Sequence, residues 1–406
     1  MSAEAPHRYV RALALTSGLT ALVLLIGLAI SRVADQALPY LTREPASVLD
    51  AAGYVGLLSN TTALVGVAAS TSALLTWLVL GGTARSPWLW GGILTGCLLV
   101  NDVFLVDDHY LTKIGIPEPV TSAVLGLGAL AFTLGYRDFV RRHGTWLVVA
   151  ALAGFFGAEL LDRVSQNLDD VEDVLRFFSQ LSWAVFFVRA AIAELSDERR
   201  AAEGRSGPVG GLRALVVVYG AAVGAVLVVF ALSRATDRPL EYFTREPADV
   251  LHAPAYAGML SNLGALVWGI AATCALLAWA VERSARALLF GGLLTMLLLG
   301  DDFYRLHEDY YPRLGLHQRY SNVAYFLLVV SYLVVFRDYL RSRGGWLLLG
   351  AFGLLGVSAG LDILYRDQDG LEDAVKLFGI ACWATFFALA AYDELRLRRS
   401  RTRAPR

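Results

Sequence analysis

The sequence contains few charges, few cysteines and almost no lysine. Only 17% of its 406 residues are charged, three are cysteine, and two, Lys113 and Lys376, are lysine. The net charge of −1 gives no positive field that would attract nucleic acid. The cysteines lie in apolar stretches without a CxxC pair, which favours small core residues over metal or redox chemistry.

Apolar residues dominate instead. They make up 56% of the chain, and the mean hydropathy is +0.53, which exceeds what soluble globular proteins reach. The stretch from Ala12 to Ser31 has no charge and is long enough to cross a bilayer, which takes about 20 residues. No convincing cleavage site follows it, so we interpret it as a retained first helix of an integral membrane protein.

The sequence is an internal duplication. Thr42-Arg-Glu-Pro45 recurs as Thr244-Arg-Glu-Pro247, and 13 of the 20 residues from Leu41 to Asn60 are identical 202 positions later. Further on, the shift becomes 200 and pairs Asp102 with Asp302, Asp162 with Asp362, Glu172-Asp173 with Glu372-Asp373 and Trp183 with Trp383. The sequence therefore predicts a tandem repeat over nearly the whole chain.

Each copy contains six apolar spans. We predict an all-α, polytopic membrane protein of about 12 transmembrane helices, built as two parallel six-helix repeats. The spans are 12–32, 51–80, 87–106, 119–137, 145–162 and 172–194, then 213–233, 254–281, 287–304, 321–337, 346–363 and 373–393. The domain boundaries are 1–195 for the first repeat, 196–212 for a cytoplasmic linker, 213–395 for the second repeat and 396–406 for a basic cytoplasmic tail.

Arginine-rich loops and acid-rich loops alternate along the predicted chain of helices. Basic residues accumulate in cytoplasmic loops, so the arginine-rich loops and both termini are expected to be cytoplasmic and the acid-rich loops to lie outside. The arginine-rich, lysine-poor composition is typical of a bacterial chain, which places it in the cytoplasmic membrane. The expected partners are the lipid bilayer and a small solute or ion, without nucleic acid.

The end of the third helix of each copy is the strongest candidate site. It reads Asn101-Asp102…Asp107-Asp108-His109 in the first copy and Asp301-Asp302…His307-Glu308-Asp309 in the second. If the helix continues, residues seven apart share a face, so Asp102 lies under His109, Asp301 under Glu308 and Asp302 under Asp309. Carboxylates at the hydrocarbon edge need a partner, which could be a divalent cation, an arginine or a proton. The alternative is that these acids simply end the helix in water. The predicted metal-binding residues are Asp102, His109, Asp301, Asp302, His307 and Glu308.

Acidic residues also open the sixth helix. Asp-x-x-Glu is a capping box, and acids in a first turn oppose the helix dipole. Capping does not explain Lys376. Its position, four residues after Glu372, indicates an ion pair or a relay. The predicted relay or surrounding residues are Asp162, Asp362, Glu172, Glu372, Asp373 and Lys376.

Two shorter repeated motifs flank these sites. Pro45 and Pro247 would end an interfacial segment or start the next helix, and Arg43 and Arg245 could offset the acidic rim. Asn60 and Asn262, in the second helix of each copy, either hydrogen-bond to neighbouring helices or line a polar cavity. Glu159 has no counterpart, because Ala359 takes its place, which indicates that the copies have diverged.

Two resemblances follow from these patterns. Two parallel six-helix halves resemble the architecture of the major facilitator superfamily, although its loop signature after helix two is absent. The pattern DDxxxxHE…LEDxxK, from Asp301 to Lys376, resembles an uncharacterised family of bacterial six-helix membrane proteins, here tandemly duplicated. The second resemblance covers one whole copy and implies no function.

Three functions remain open from the sequence. The first is a transporter or permease for an ion or small solute, with an outward-facing acidic cation or proton site. The second is a metal-dependent membrane-embedded hydrolase acting on a lipid, with Asp302, His307, Glu308 and Asp362 around the metal. Oxygen ligands with one histidine favour Ca²⁺, Mg²⁺ or Mn²⁺ over Zn²⁺ as a cofactor. The third is a non-catalytic membrane scaffold protein.

Overall fold

The chain is helical throughout the part that the structure describes, as the sequence predicts. The structure is a computed structural model, and it describes residues 4–49, 51–81, 86–164, 169–202, 212–364 and 369–403. Within these ranges there is no strand, and twelve helices have 18 residues or more. They are α1 (Glu4–Val33), α2 (Leu57–Leu80), α3 (Ser86–Phe104), α4 (Glu118–Gly135), α5 (Thr145–Val164), α6 (Asp169–Ala202), α7 (Leu212–Thr236), α8 (Met259–Val281), α9 (Arg286–Phe303), α10 (Gln318–Val335), α11 (Trp346–Leu364) and α12 (Asp369–Arg403).

Many of these helices suit a bilayer. Among the described residues, seven helices are long and apolar enough to cross a membrane, and nine are if each of two bent helix pairs counts as one span. The bent pairs are Arg137–His143 with α5 and α9 with Leu306–Arg313. The protein is therefore a multi-pass membrane protein by the length and composition of its helices.

The chain forms two compact units that exchange their first helices. Unit 1 consists of Met1–Gly53 and Tyr256–Glu394, and unit 2 consists of Tyr54–Ala255 and Leu395–Arg406. Each unit thus joins the first helix and following loop of one copy to helices two to six of the other. The predicted repeat boundaries, 1–195 and 213–395, describe the sequence duplication and remain a prediction, whereas the folding units cross them.

Contacts within unit 1 hold the exchanged helix α1 from its start to its middle. Near its start, Arg8 pairs with Asp393 of α12, and the Tyr9 hydroxyl donates to the same carboxylate over 2.9 Å. In the middle, Thr385 donates to Thr16 over 3.1 Å. Most of the remaining apolar surface of α1 is exposed, as expected for a helix that faces lipid.

The second helix of each copy begins later than predicted. Spans were expected from 51 and 254, but α2 and α8 start at Leu57 and Met259, after Gly56 and Gly258. Both glycines have a left-handed backbone, with φ of 63° and 66°, which interrupts a helix and which glycine adopts without a steric penalty.

The third helix of each copy also ends early. α3 stops at Phe104 and α9 at Phe303, and the next turn contains a residue with positive φ, Leu105 at 47° and Arg305 at 51°. A π-helical segment follows in each case, and in the second copy the chain bends by 60°. Residues seven apart were expected to share a face only if the helix continued across this segment, and that condition is not met.

Each unit has the same aromatic core. Trp383, Phe386 and Phe387 of α12 are fully buried in unit 1, and the Trp383 indole donates to Thr295 over 2.9 Å. The repeat-matched Trp183 of unit 2 donates to Thr95 over 2.8 Å. These anchors fix the third and sixth helices of each copy against each other, which positions the carboxylates at the ends of those helices.

Candidate functional site

Lys376 of α12 joins two carboxylates in unit 1. Its ammonium nitrogen lies 2.5 Å from Oδ1 of Asp302, at the end of α9, and 3.9 Å from Oε1 of Glu44. The side chains of all three are at most about one third exposed. One cation is thus shared by two acids, an arrangement that leaves the cluster with excess negative charge when both are ionised. We call Glu44, Asp302 and Lys376 the unit 1 triad.

The repeated Thr-Arg-Glu-Pro motif carries Glu44 into this cluster. Thr42 donates to Asp373 of α12 over 2.5 Å, and Ser261 of α8 donates to Glu44 over 3.2 Å. Pro45 begins the short helix Pro45–Val48, where its fixed φ suits a first helical position. Burial raises the pKa of the Glu44 carboxyl, and the charge of Asp302 raises it further, while Lys376 opposes the change. Glu44 is therefore suited to hold a proton.

A pair formed by His307 and Asp301 lies beside the unit 1 triad. Nδ1 of His307 lies 2.6 Å from Oδ2 of buried Asp301, and the Tyr325 hydroxyl donates to Oδ1 of the same carboxylate over 2.8 Å. Glu308 contacts Arg305 at 2.9 Å instead of facing Asp301. The adjacent Asp301 and Asp302 therefore have different partners, because successive helical side chains point about 100° apart.

A large pocket opens next to the unit 1 triad. It has a volume of about 500 Å³ and combines charged, polar and aromatic walls. The lining includes Arg43, Glu44, Trp268, Asp302, His307, Glu308, Gln318, Asn322, Tyr325, Phe326, Phe352, Glu372, Asp373 and Lys376. A volume of this size suits a small organic ligand, for which pockets of ~300–1,000 Å³ are usual.

Unit 2 contains the equivalent cluster with a different cation. Arg176 replaces Lys376, and its guanidinium lies 2.8 Å from Glu172 and 3.4 Å from Glu159. Gln180 donates to Asp102 over 3.3 Å. An ion pair four residues apart on the sixth helix was predicted for Glu372 and Lys376. Its repeat equivalent, Glu172–Arg176, is present in unit 2, whereas the short contacts of Lys376 are with Asp302 and Glu44.

Glu246 is the unit 2 counterpart of Glu44. Ser59 donates to it over 2.9 Å, and Thr244 donates to Asp173 over 2.5 Å, which repeats the unit 1 arrangement. Burial raises the pKa of Glu246 to about 8, with a further contribution from the charge of Asp102. The pocket here is only about 100 Å³, and Asp102, Asp107, Glu159 and Arg176 are among its walls.

The structure brings several predicted residues together and separates others. Asp302, His307, Glu308, Glu372, Asp373 and Lys376 share the unit 1 pocket, and Glu172 pairs beside the unit 2 pocket. His109 is half-buried in the π-helical turn and Asp162 is exposed, while the side chain of Asp362 lies outside the described residues. Asn60 and Asn262 are half-buried and follow Ser59 and Ser261, whose hydroxyls donate to the half-buried Glu246 and Glu44, respectively.

The predicted metal site has no matching geometry in the described ranges. No three histidine, cysteine, aspartate or glutamate side chains there converge as a group that could hold a metal ion. Two acids of the unit 1 pocket instead contact cationic side chains, Asp302 with Lys376 and Glu308 with Arg305.

Sequence reasoning missed the two glutamates of the Thr-Arg-Glu-Pro motif. Arg43 and Arg245 were predicted to offset the acidic rim, but Glu44 and Glu246 are the residues of this motif that contact the other side chains of the clusters. The available signal was the unbroken identity of the motif together with Ser-Asn, 17 residues later, in both copies.

Comparison with known proteins gives a family without a described activity. A family described as "Domain of unknown function (DUF8692)" matches the chain twice, over residues 16–190 and 218–390. No curated protein and no solved structure matches this chain. The two matched segments agree with the tandem repeat predicted from the sequence.

Proposed function

The chain belongs to the DUF8692 family, and we propose that it is a proton-linked membrane permease for a small solute, with its binding site in the unit 1 pocket. Twelve membrane crossings, two parallel six-helix repeats, cytoplasmic termini and a place in a bacterial cytoplasmic membrane belong to this proposal. They rest on the twelve long helices and on the position of the arginines.

The observation that carries the proposal is the sharing of Lys376 by Asp302 and Glu44 at the wall of a 500 Å³ pocket. An ionised carboxylate near the hydrocarbon costs a few kcal/mol unless it is partnered. When a proton or a solute arrives, the ammonium can move from two acids to one. Binding of the solute and binding of a proton are then linked, because both act on the same three groups.

The pairing of charges supports a proposal that the two units have different tasks. Arg176 is held by two carboxylates, and the pocket around it is about one fifth as large as that of unit 1. In the proposal, the planar guanidinium of Arg176, which contacts two acids at 3.4 Å or less, is harder to displace than the Lys376 ammonium, which has one short contact and a second at 3.9 Å. In the proposal, unit 1 binds the solute and unit 2 supports the fold.

Proton flux across reconstituted vesicles tests this function. The purified full chain is inserted into liposomes that contain a fluorescent pH dye, and solutes of each charge class are added outside. We expect at least one class to drive proton movement in the wild type. Asp302→Asn should reduce that flux at least about tenfold, because it removes the acid that Lys376 contacts most closely.

The matched control is Asp102→Asn, which makes the same change at the repeat-equivalent position of unit 2. This variant should retain most of the flux. Equal loss in both variants would contradict the assignment of the site to unit 1, and flux no greater than that of protein-free liposomes for every solute class would rule out the permease.

A further inference from the structure

We propose that the solute is an organic ammonium cation, and that it replaces the Lys376 ammonium on Asp302 and Glu44. This substrate class rests on the proposed permease function and its unit 1 pocket. It follows from three separate features of that pocket: its charge, its aromatic walls and the lysine that already occupies the carboxylates.

The charge of the pocket favours a cation. Among the described residues that line it, five carry carboxyl groups, namely Glu44, Asp302, Glu308, Glu372 and Asp373. Only Arg43, Lys376 and His307 are basic. A pocket with low-dielectric walls and an excess of one charge concentrates the opposite ion, so an anionic solute would be repelled here.

The aromatic walls favour an organic cation over a bare metal ion. Trp268, Tyr325, Phe326 and Phe352 line the same space, and the faces of aromatic rings attract ammonium groups. Trp268 is buried against Trp383, with ring centroids 5.5 Å apart, so its ring is held in place. Tyr325 is oriented by its hydrogen bond to Asp301.

Lys376 itself shows which chemical group the carboxylates accept. Its primary ammonium lies 2.5 Å from Asp302 and 3.9 Å from Glu44, on a flexible four-carbon stem at the edge of the pocket. A solute with the same group would compete with the lysine for both acids. The displaced ammonium would rotate towards another acid of the pocket wall, such as Asp373, so that it does not remain unpaired.

Unit 2 gives a useful comparison within the same chain. Arg176 is bound by Glu172 and Glu159, and the first of these contacts is 2.8 Å long. The position equivalent to Glu159 in unit 1 is Ala359, which lines the large pocket. Because alanine replaces this acid, Lys376 has no counterpart of the contact between Arg176 and Glu159, and its pocket has more space at this position.

Calorimetric titration of the full chain in detergent tests the substrate class. The probes are benzylammonium, benzyl alcohol and benzoate, which share one ring and differ in charge. We expect benzylammonium to bind the wild type at least about tenfold more tightly than benzyl alcohol, because only the ammonium pairs with Asp302. Benzoate should not bind. Equal binding of the ammonium and the alcohol, or tighter binding of benzoate, would overturn the proposal.

Lys376→Gln tests the displacement step. Removal of the competing ammonium should raise the affinity for benzylammonium about tenfold at pH 8.5, whereas Asp302→Asn should lower it by a similar factor. Lys376→Arg retains the competing charge and should give no gain. A weaker affinity in folded Lys376→Gln would contradict the competition. If that variant does not fold, the three probes on the wild type still decide the charge preference.

These titrations are independent of transport. Binding of benzylammonium without proton flux in vesicles would support the ammonium site and contradict the permease. Flux driven by an anionic or neutral solute, together with no preference for benzylammonium, would support the permease and contradict the ammonium substrate.

Discussion

Lys376 and Arg176 occupy equivalent positions in the two copies, 200 residues apart, but their closest acidic partners differ. Lys376 is shared by Asp302 and Glu44, which come from two separate segments of unit 1. Arg176 is held most closely by Glu172, four residues earlier on its own helix, and by Glu159 of the preceding helix. The same fold therefore places the two cations against acids from different elements.

Replacement of Arg176 by glutamine should destabilise the protein. The change leaves Glu159 and Glu172, which are 15% and 9% exposed, without the guanidinium. Breaking a buried pair costs about 3–5 kcal/mol, and the partial exposure of Arg176 reduces this to roughly 1–3 kcal/mol. Thermal unfolding in detergent, followed by tryptophan fluorescence, should show a melting temperature lower by several degrees.

The control for this variant is Arg137→Gln. Arg137 is 72% exposed and lies 4.0 Å from Asp138, which is equally exposed, so its loss should leave the melting temperature nearly unchanged. A wild-type melting temperature in Arg176→Gln would show that the Glu159–Arg176–Glu172 contacts contribute nothing to stability.

Stability should fall as the pH rises, in part because of Glu246. Its pKa is raised from 4.5 to about 8 in the fold, chiefly by burial, so the folded state holds a proton that the unfolded chain releases. The resulting stabilisation is fully present below about pH 4.5 and is lost as the pH rises through about 8. We expect a higher melting temperature at pH 6 than at pH 9.

Glu246→Gln imitates the protonated acid and should flatten this dependence. Asp249→Asn is the control, because Asp249 is exposed on the short helix that follows Glu246 and should not change the slope. The same pH slope in Glu246→Gln and the wild type would exclude Glu246 as the titrating group.

Gly258→Ala should disturb the Thr-Arg-Glu-Pro segment of unit 1. An added Cβ would collide with the ring of Pro45 and lie 2.8 Å from the carbonyl oxygen of Arg43, at a residue whose φ is 66°. The left-handed backbone alone costs an alanine about 1–2 kcal/mol, and the collision adds to it. Melting temperature and, if the permease is active, solute-driven flux should both decrease.

Gly350→Ala in α11 provides the comparison. Nothing lies within 4 Å of a Cβ at Gly350, and alanine is the better helix former, so this variant should be at least as stable as the wild type. If Gly258→Ala behaves like Gly350→Ala, the close approach of Pro45 does not constrain the segment.

The sequence predicted the helical class and the duplication because both are local or periodic signals. Long apolar runs specify helices in a bilayer. The similarity of residues 41–60 to 243–262, with 13 of 20 residues identical, can be recognised from the sequence alone. The early ends of α3 and α9 could not be derived, because Leu105 and Arg305 are ordinary helix formers held in a left-handed conformation by their surroundings. Because the helices end there, His109 and Asp309 do not lie on a continuous helix with Asp102 and Asp302.

The site was predicted in part for the same reason. Asp302, His307 and Lys376 stood out as charges in apolar sequence, and the structure places them around one pocket. Glu44 was overlooked because its role depends on the exchange of segments, which joins residues more than 300 positions apart in the chain. No pattern within one copy contains that information.

The exchange of first helices between the copies has a consequence for the origin of the gene. A single copy with this arrangement would complete its unit only by lending its first helix to a second identical chain, as domain-swapped dimers do. Fusion of two such genes makes the exchange intramolecular, so that assembly no longer depends on the concentration of the protein. It also removes the requirement that both halves be identical, and a lysine could then arise in one half while its counterpart stayed an arginine.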